Sequence, residues 1–288
     1  MNDLQEFLKV IADSIRAKKG TTELINPQDF KTEVDKLEDV SNYCLMPVEG
    51  NVLNFYAQPT DIIIPDMITS IGQECFKNMQ LGYISHNDVI YQVGMRAFYN
   101  TSISTFSWPS KVNSIPPGCF ERANISHIDN TNHVTEIREY AFKDSYMSFS
   151  DLDLSNVTFI GTNAFFQTRF SNWLDGNAIL PKNLEMLGSE VFTDAFGNNN
   201  PVRIPTTLIT LYNNTFKNSI VYFGDFEHPI DLQISRVTSS NNGNIFRVPE
   251  ELYEDWINYS NWQYVADYVE TLTGEKPVIL QYCGDNLL

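Results

Sequence analysis

The sequence predicts an α/β repeat solenoid: short parallel strands joined by turn or 3₁₀ segments, with an N-terminal helical segment and a C-terminal cap. Three observations predict it. One template ending in Phe recurs seven times. A short apolar pair ending in Pro precedes several copies in fixed phase. The first 40 residues instead carry the apolar spacing of a helix.

The template reads aliphatic, commonly Gly, about two polar residues, a small residue, then Phe. Clear copies are Ser70-Ile71-Gly72-Gln73-Glu74-Cys75-Phe76, Gln92 to Phe98 and Phe159-Ile160-Gly161-Thr162-Asn163-Ala164-Phe165. The seven aromatics are Phe76, Phe98, Phe120, Phe142, Phe165, Phe192 and Phe216, spaced by 22, 22, 22, 23, 27 and 24 residues. Such a period marks a stack of units, none of which buries its apolar face alone. All seven are therefore expected in the core. The Pro element appears at Ile64-Pro65, Trp108-Pro109, Leu180-Pro181 and Ile204-Pro205. Strands are predicted at Ile62–Ile64, Ile103–Trp108, Asn177–Leu180 and Val202–Ile204, each ended by Pro, which has no N–H for a continuing ladder. The template Gly is expected to take unusual backbone angles in the turn that follows. A short helical or 3₁₀ turn then carries the small residue and Phe inward. Around His127–Asn130 and Leu154–Ser155 the Pro is missing, and irregular rungs are expected there.

These two elements in fixed phase resemble the BspA-type leucine-rich repeat family over about residues 60–225, which implies a leucine-rich-repeat solenoid. Farther on, Ile245 to Leu252 followed by Trp256 and Asn261-Trp262 resembles that family's closing segment. The resemblance implies that Leu252, Trp256, Trp262 and Val265 are capping core.

In the N-terminal segment Leu4, Phe7, Leu8, Ile11 and Ile15 form one apolar helical face, and Lys18-Lys19-Gly20 suits a helix end. Asn26-Pro27 is a good start for a second short helix through Phe30, Val34 and Leu37. The string Ile11 to Thr22, followed by Ile25 to Phe30, resembles a segment of phage tail and minor structural proteins, which precedes variable C-terminal modules. The implied organisation is a docking or oligomerisation segment (1–40), a linker or N-terminal cap (41–60), the solenoid (61–225) and a strand/helix cap (226–288).

The formal net charge of −17 opposes binding to nucleic acid phosphates and anionic membranes. No run of 18 apolar residues exists for a membrane span, and residues 1–18 do not read as a secretory signal. Cys44, Cys75, Cys119 and Cys283 lack any metal-ligand spacing. Cys75 and Cys119 fall just before a repeat Phe and are read as small buried fillers. Two rungs apart they would lie about 9–10 Å from one another, too far to bridge. Nucleophile elbows, P-loops and dinucleotide fingerprints are absent. His86, His127, His133 and His228 show no ligand spacing, although His127 and His133 flank a rung near Asp129. Asp151 and Asp153 alternate on a predicted strand, where a solvated face is the plain reading and a cation site the other. No catalytic, cofactor-binding or metal residues are assigned, and the chain reads as a non-enzyme.

Regularity is lost between Phe165 and Phe192, where insertions would map to one face. Phe170, Trp173 and Asp175, with Phe196 in a Gly/Asn-rich insert, are a candidate ligand surface for sugar stacking or a protein hot spot. The alternative is that they pack the longer loop. The expected role is that of a bacteriophage virion protein in tail, baseplate or head fibre. Its apolar stripe, Leu4 to Ile15, would dock on other virion proteins or drive homo-oligomerisation, and the solenoid would bind a host-surface glycan or protein. The place expected for it is the particle, assembled in the host cytoplasm. A bacterial BspA-like surface adhesin is one alternative. A carbohydrate-active enzyme is the other, and it would need two carboxylates about 5–10 Å apart in a groove.

Overall fold

The computed structural model describes residues 45–48, 52–55, 61–64, 68–86, 88–147, 152–170, 178–195, 200–233 and 242–272. The chain divides into two units, Met1–Cys44 and Leu45–Leu288. The expected stripe Leu4, Phe7, Leu8, Ile11 and Ile15 falls in the first and lies outside the described residues.

The second unit is a parallel β-solenoid of about eight turns. One face is a sheet of strands Ile62–Ile64, Gln80–His86, Ser102–Ser107, Asn124–Ile125, Tyr146–Met147 and Arg169–Phe170, with Ile128–Asp129 also paired to the third. A second face stacks the template aliphatics in register, Ile71 on Val93, and Ile115 on Ile137, Ile160 and Leu187. It starts with an antiparallel pair, Leu45–Val48 on Val52–Phe55, the latter parallel to Ser70–Ile71. From Ala178–Ile179 the first face resumes as a separate sheet through Asn200–Arg203, Ser219–Tyr222, Ile245–Val248 and Val269–Thr271. The sheets thus run past residue 225, and the expected cap region contributes strands of its own. Among the described residues, helix is confined to Glu250–Leu252, Tyr253–Asn258 and Ser260–Tyr268.

The seven phenylalanines form one column. Successive ring centroids lie 5.1, 5.1, 5.2, 5.1, 5.3 and 5.7 Å apart, with interplanar angles of 11° or less. That spacing slightly exceeds a rung repeat of about 4.8 Å, so the rings are nearly parallel and slightly offset. The third face, which carries them, is a series of turns in which backbone donors alternate between two kinds of acceptor. In the first unit the N–H groups of Glu74, Phe76 and Asn78 donate to Met95, Ala97 and Tyr99 of the next rung. Those of Cys75, Lys77 and Met79 donate three residues back. Every donor from 74 to 79 is satisfied, as burial requires.

The glycines act differently from expectation. Left-handed backbone falls mainly on non-glycine residues two before the Phe (Glu74, Arg96, Tyr140, Asn163, Glu190) and two after it (Asn78, Asn100, Arg122, Asp144). The template glycines Gly94, Gly161 and Gly188 are needed for close approach. A Cβ there would sit 2.4, 2.6 and 2.5 Å from a backbone nitrogen of the preceding rung.

The Pro element makes a recurring turn in which the N–H three residues on donates to the Pro carbonyl: Val112 to Pro109, Leu184 to Pro181, Leu208 to Pro205 and Leu252 to Pro249. The two rungs without Pro form the same turn, Val134 donating to Thr131 and Val157 to Leu154. The turn is kept there because only the carbonyl is used and any residue supplies one, whereas the strands before it are irregular: among the described residues Ile128–Asp129 pairs only with Ser102–Ser107, and residues 152–154 form no strand. Asp153 is not on a strand; its Oδ1 accepts the Ser155 N–H, closing a local turn instead.

Candidate functional site

The closing segment covers the last rung with side-chain donors. Trp262 Nε1 donates to the Ile230 carbonyl at 2.7 Å, and Asn261 Nδ2 to the Leu232 carbonyl at 2.8 Å. Trp256, Trp262 and Val265 are buried and Leu252 packs on the core at partial burial.

Cys75 and Cys119 are buried free thiols. Burial pushes the Cys75 thiol up to about 12 and that of Cys119 well above its ordinary value; a hydrogen bond with Gly72 and with Phe98, respectively, offsets this only in part. Iodoacetamide at neutral pH is expected to leave both unlabelled in the folded chain and to label both in urea, read by peptide mass spectrometry. Unfolded thiols ionise near 9 while the folded ones stay protonated, so stability is full below pH 9 and falls toward pH 12. The fall should be shallower in C75A/C119A by up to about 1.4 kcal/mol per pH unit for each thiol removed.

Two of the histidines serve the scaffold. His86 Nε2 lies 2.7 Å from the Ser107 carbonyl and His133 Nε2 3.0 Å from that of Pro109. His127 sits 3.6 Å from Asp129 on the exposed sheet face. Among the described residues no group of three His, Cys, Asp or Glu is placed to hold a metal, and no helix is long and apolar enough to cross a membrane.

Two surfaces present chemistry outward. On the first sheet the inward positions Ile62, Leu81, Ile84, Ile103, Phe106 and Ile125 are buried. The outward ones are short polar residues, among them Ser102, Ser104 and Ser126, flanked by exposed Ile63, Tyr83 and Tyr146. On the turn face, cations stand between rings and carboxylates. Lys77 and Arg96 each lie 5.5 Å from the Tyr99 ring and Arg122 6.0 Å. The three pair with Glu74, Glu121 and Asp144. Lys143 lies 5.6 Å from the Tyr140 ring and 5.5 Å from that of Phe166. The Lys77–Tyr99 contact joins residues one rung apart, a signal readable in the sequence only once the period is known. Of the candidate ligand surface, Phe170 has its backbone on the edge strand Arg169–Phe170 of the first sheet. Its side chain, and Trp173, Asp175 and Phe196, lie outside the described residues.

The family described as BspA type leucine-rich repeat region matches in six copies over residues 53–172 and 169–222. The crystal structure of a leucine-rich repeat protein from Eubacterium ventriosum is 14% identical, with a TM-score of 0.30, over 66% of this chain. The chain spans 60% of that protein's length. No curated protein matches.

Proposed function

Because the chain belongs to the BspA-type leucine-rich repeat family, we propose that it is a non-enzymatic recognition module whose first sheet binds a protein or glycan partner. The observation that carries this reading is the sheet running from Ile62 to Phe170. Its inward side chains are locked in the core, so its outward side chains, including Tyr83 and Tyr146, are held at fixed rung spacing. Rigid aromatic residues on a pre-organised surface bind with little loss of conformational entropy. Repeat stacking supplies that rigidity without any single large core.

The setting proposed for it is a bacteriophage particle, with residues 1–40 docking on other virion proteins and the chain present as a homo-oligomer. Support comes from the string Ile11 to Phe30, which precedes the matched region. A bacterial surface adhesin is the second reading, favoured by the family itself. Mass spectrometry of purified particles and of phage-free cells separates the two. The virion reading expects the chain in particles, and its presence on phage-free cells overturns that reading. Deleting residues 1–40 is expected to leave a soluble solenoid that no longer incorporates. Normal incorporation of the truncated chain would remove the docking role.

A further inference from the structure

We propose that the outer face of the closing segment, from Pro249 to Tyr268, is a second docking surface, whose occupant is an Arg- or Lys-rich protein segment. It is distinct from the first sheet and does not depend on what that sheet binds.

The argument begins with how this protein treats its own cations. Lys77, Arg96 and Arg122 share the Tyr99 ring and each pairs with a carboxylate. Arg138 lies 5.5 Å from the Phe159 ring and pairs with Glu136. Arg247 lies 5.7 Å from the Tyr222 ring and pairs with Glu270. Each arrangement has three parts: an aromatic face, a carboxylate and the cation between them. The attraction of a cation to a ring quadrupole adds to the ion pair.

The closing segment carries exposed rings and carboxylates, with no cation of its own, in one stretch of chain. Tyr259, Tyr264 and Tyr268 are 44%, 66% and 45% exposed. The backbone that carries them is anchored from beneath, because Trp256, Trp262 and Val265 are buried in the core. Five carboxylates lie in the same stretch, Glu250, Glu251, Glu254, Asp255 and Asp267, and no Lys or Arg does. Among the described residues no cation approaches the three rings or these carboxylates. An incoming basic segment would complete the arrangement, its guanidinium or ammonium groups lying on the rings with carboxylates alongside. Tyrosine and arginine are enriched in protein interfaces.

A chain of net charge −17 attracts any polycation weakly, so the test holds charge constant. The probe is a fluorescein-labelled nona-arginine peptide, titrated against the full chain at 150 mM salt to screen distant charge. Tyr259→Ala/Tyr264→Ala/Tyr268→Ala is compared with Tyr91→Ala/Tyr140→Ala, two exposed tyrosines that belong to neither docking surface. The triple variant is expected to weaken binding about tenfold or more, three ring contacts each giving a factor of roughly two to five. The double variant should change it less than about twofold. A second comparison keeps every ring: Glu250→Gln/Glu251→Gln should weaken binding more than Glu139→Gln/Glu185→Gln. Unchanged far-ultraviolet circular dichroism and melting confirm folding. Equal effects of the paired variants, or no binding by the parent, overturn the proposal. So does a change in the sedimentation of the peptide-free chain in the triple variant, which would make a second copy the occupant.

Discussion

Replacing Phe142 with alanine is expected to destabilise the solenoid by about 3–5 kcal/mol, the usual cost of removing a fully buried ring. Phe142 is fully buried and stacks on Phe120 at 5.2 Å and on Phe165 at 5.1 Å. Its amide donates to the Ala164 carbonyl and its carbonyl accepts the Thr168 hydroxyl. Those bonds pin the following rung, and the Phe120 amide, donating to the Ala141 carbonyl, pins the preceding one, so neither ring is free to close over the gap. The cavity therefore stays open. Phe76 stacks on Phe98 at the start of the column, so F76A should cost less. Each rung is stabilised mainly by its neighbours, and a weakened central rung also divides the stack. Guanidinium unfolding of F142A should accordingly show a broader or two-step transition, where the parent shows one. A cost below about 1 kcal/mol for F142A, or equal costs for the two variants, would show that the column is not the source of cohesion.

That column is legible in the sequence because burial and period are the same fact in a solenoid. Ile71, Val93, Ile115 and Ile137 had to face inward if Phe76 to Phe142 did, and the strands before Pro109 and Pro205 followed from the missing proline N–H. The regular turns at Thr131 and Leu154 are not legible in the sequence, which shows a missing Pro but not which Pro atom matters. The left-handed positions escaped for a related reason. Glu74, Arg96 and Tyr140 are not residues with a preference for that region, and the next rung imposes it by accepting their N–H groups, Met95 O, Pro117 O and Thr162 O. The docking surface on the closing segment needed both burial and exposure: Trp256 and Trp262 had to be placed inside before Tyr259, Tyr264 and Tyr268 could be recognised outside. For the first sheet, the sequence pointed to the irregular unit around Phe170. That unit's side chains lie outside the described residues, and the sheet adds Tyr83 and Tyr146, whose outward direction depends on register rather than on composition.

The same substitution at two glycines is expected to change stability in opposite directions. At Gly94 a Cβ would lie 2.4 Å from Gln73 N, 2.6 Å from Gly72 C and 2.8 Å from Gln73 Cα. All three atoms are backbone, so no side chain can swing aside. The rung from Gln92 to Phe98 would have to lift from the one before it. That motion stretches the bonds from Gly94 N to Ile71 O and from Glu74 N to Met95 O, now 2.8 and 3.1 Å. Overpacking of this kind costs about 1–3 kcal/mol, and G94A should fall toward the upper end. At Gly224 the nearest atom to a Cβ is Leu272 Cδ1 at 3.4 Å, an ordinary contact, and the residue is exposed. G224A should therefore gain a few tenths of a kcal/mol by restricting the unfolded chain. Pro116 and Arg138 occupy the template place of Gly94 and carry side chains, so some rungs sit in a backbone arrangement that admits a Cβ. Thermal or chemical unfolding of the two variants decides whether the Gly94 rung can adopt it. A near-neutral G94A would mean that it can, and that the glycines set local spacing without holding the stack together.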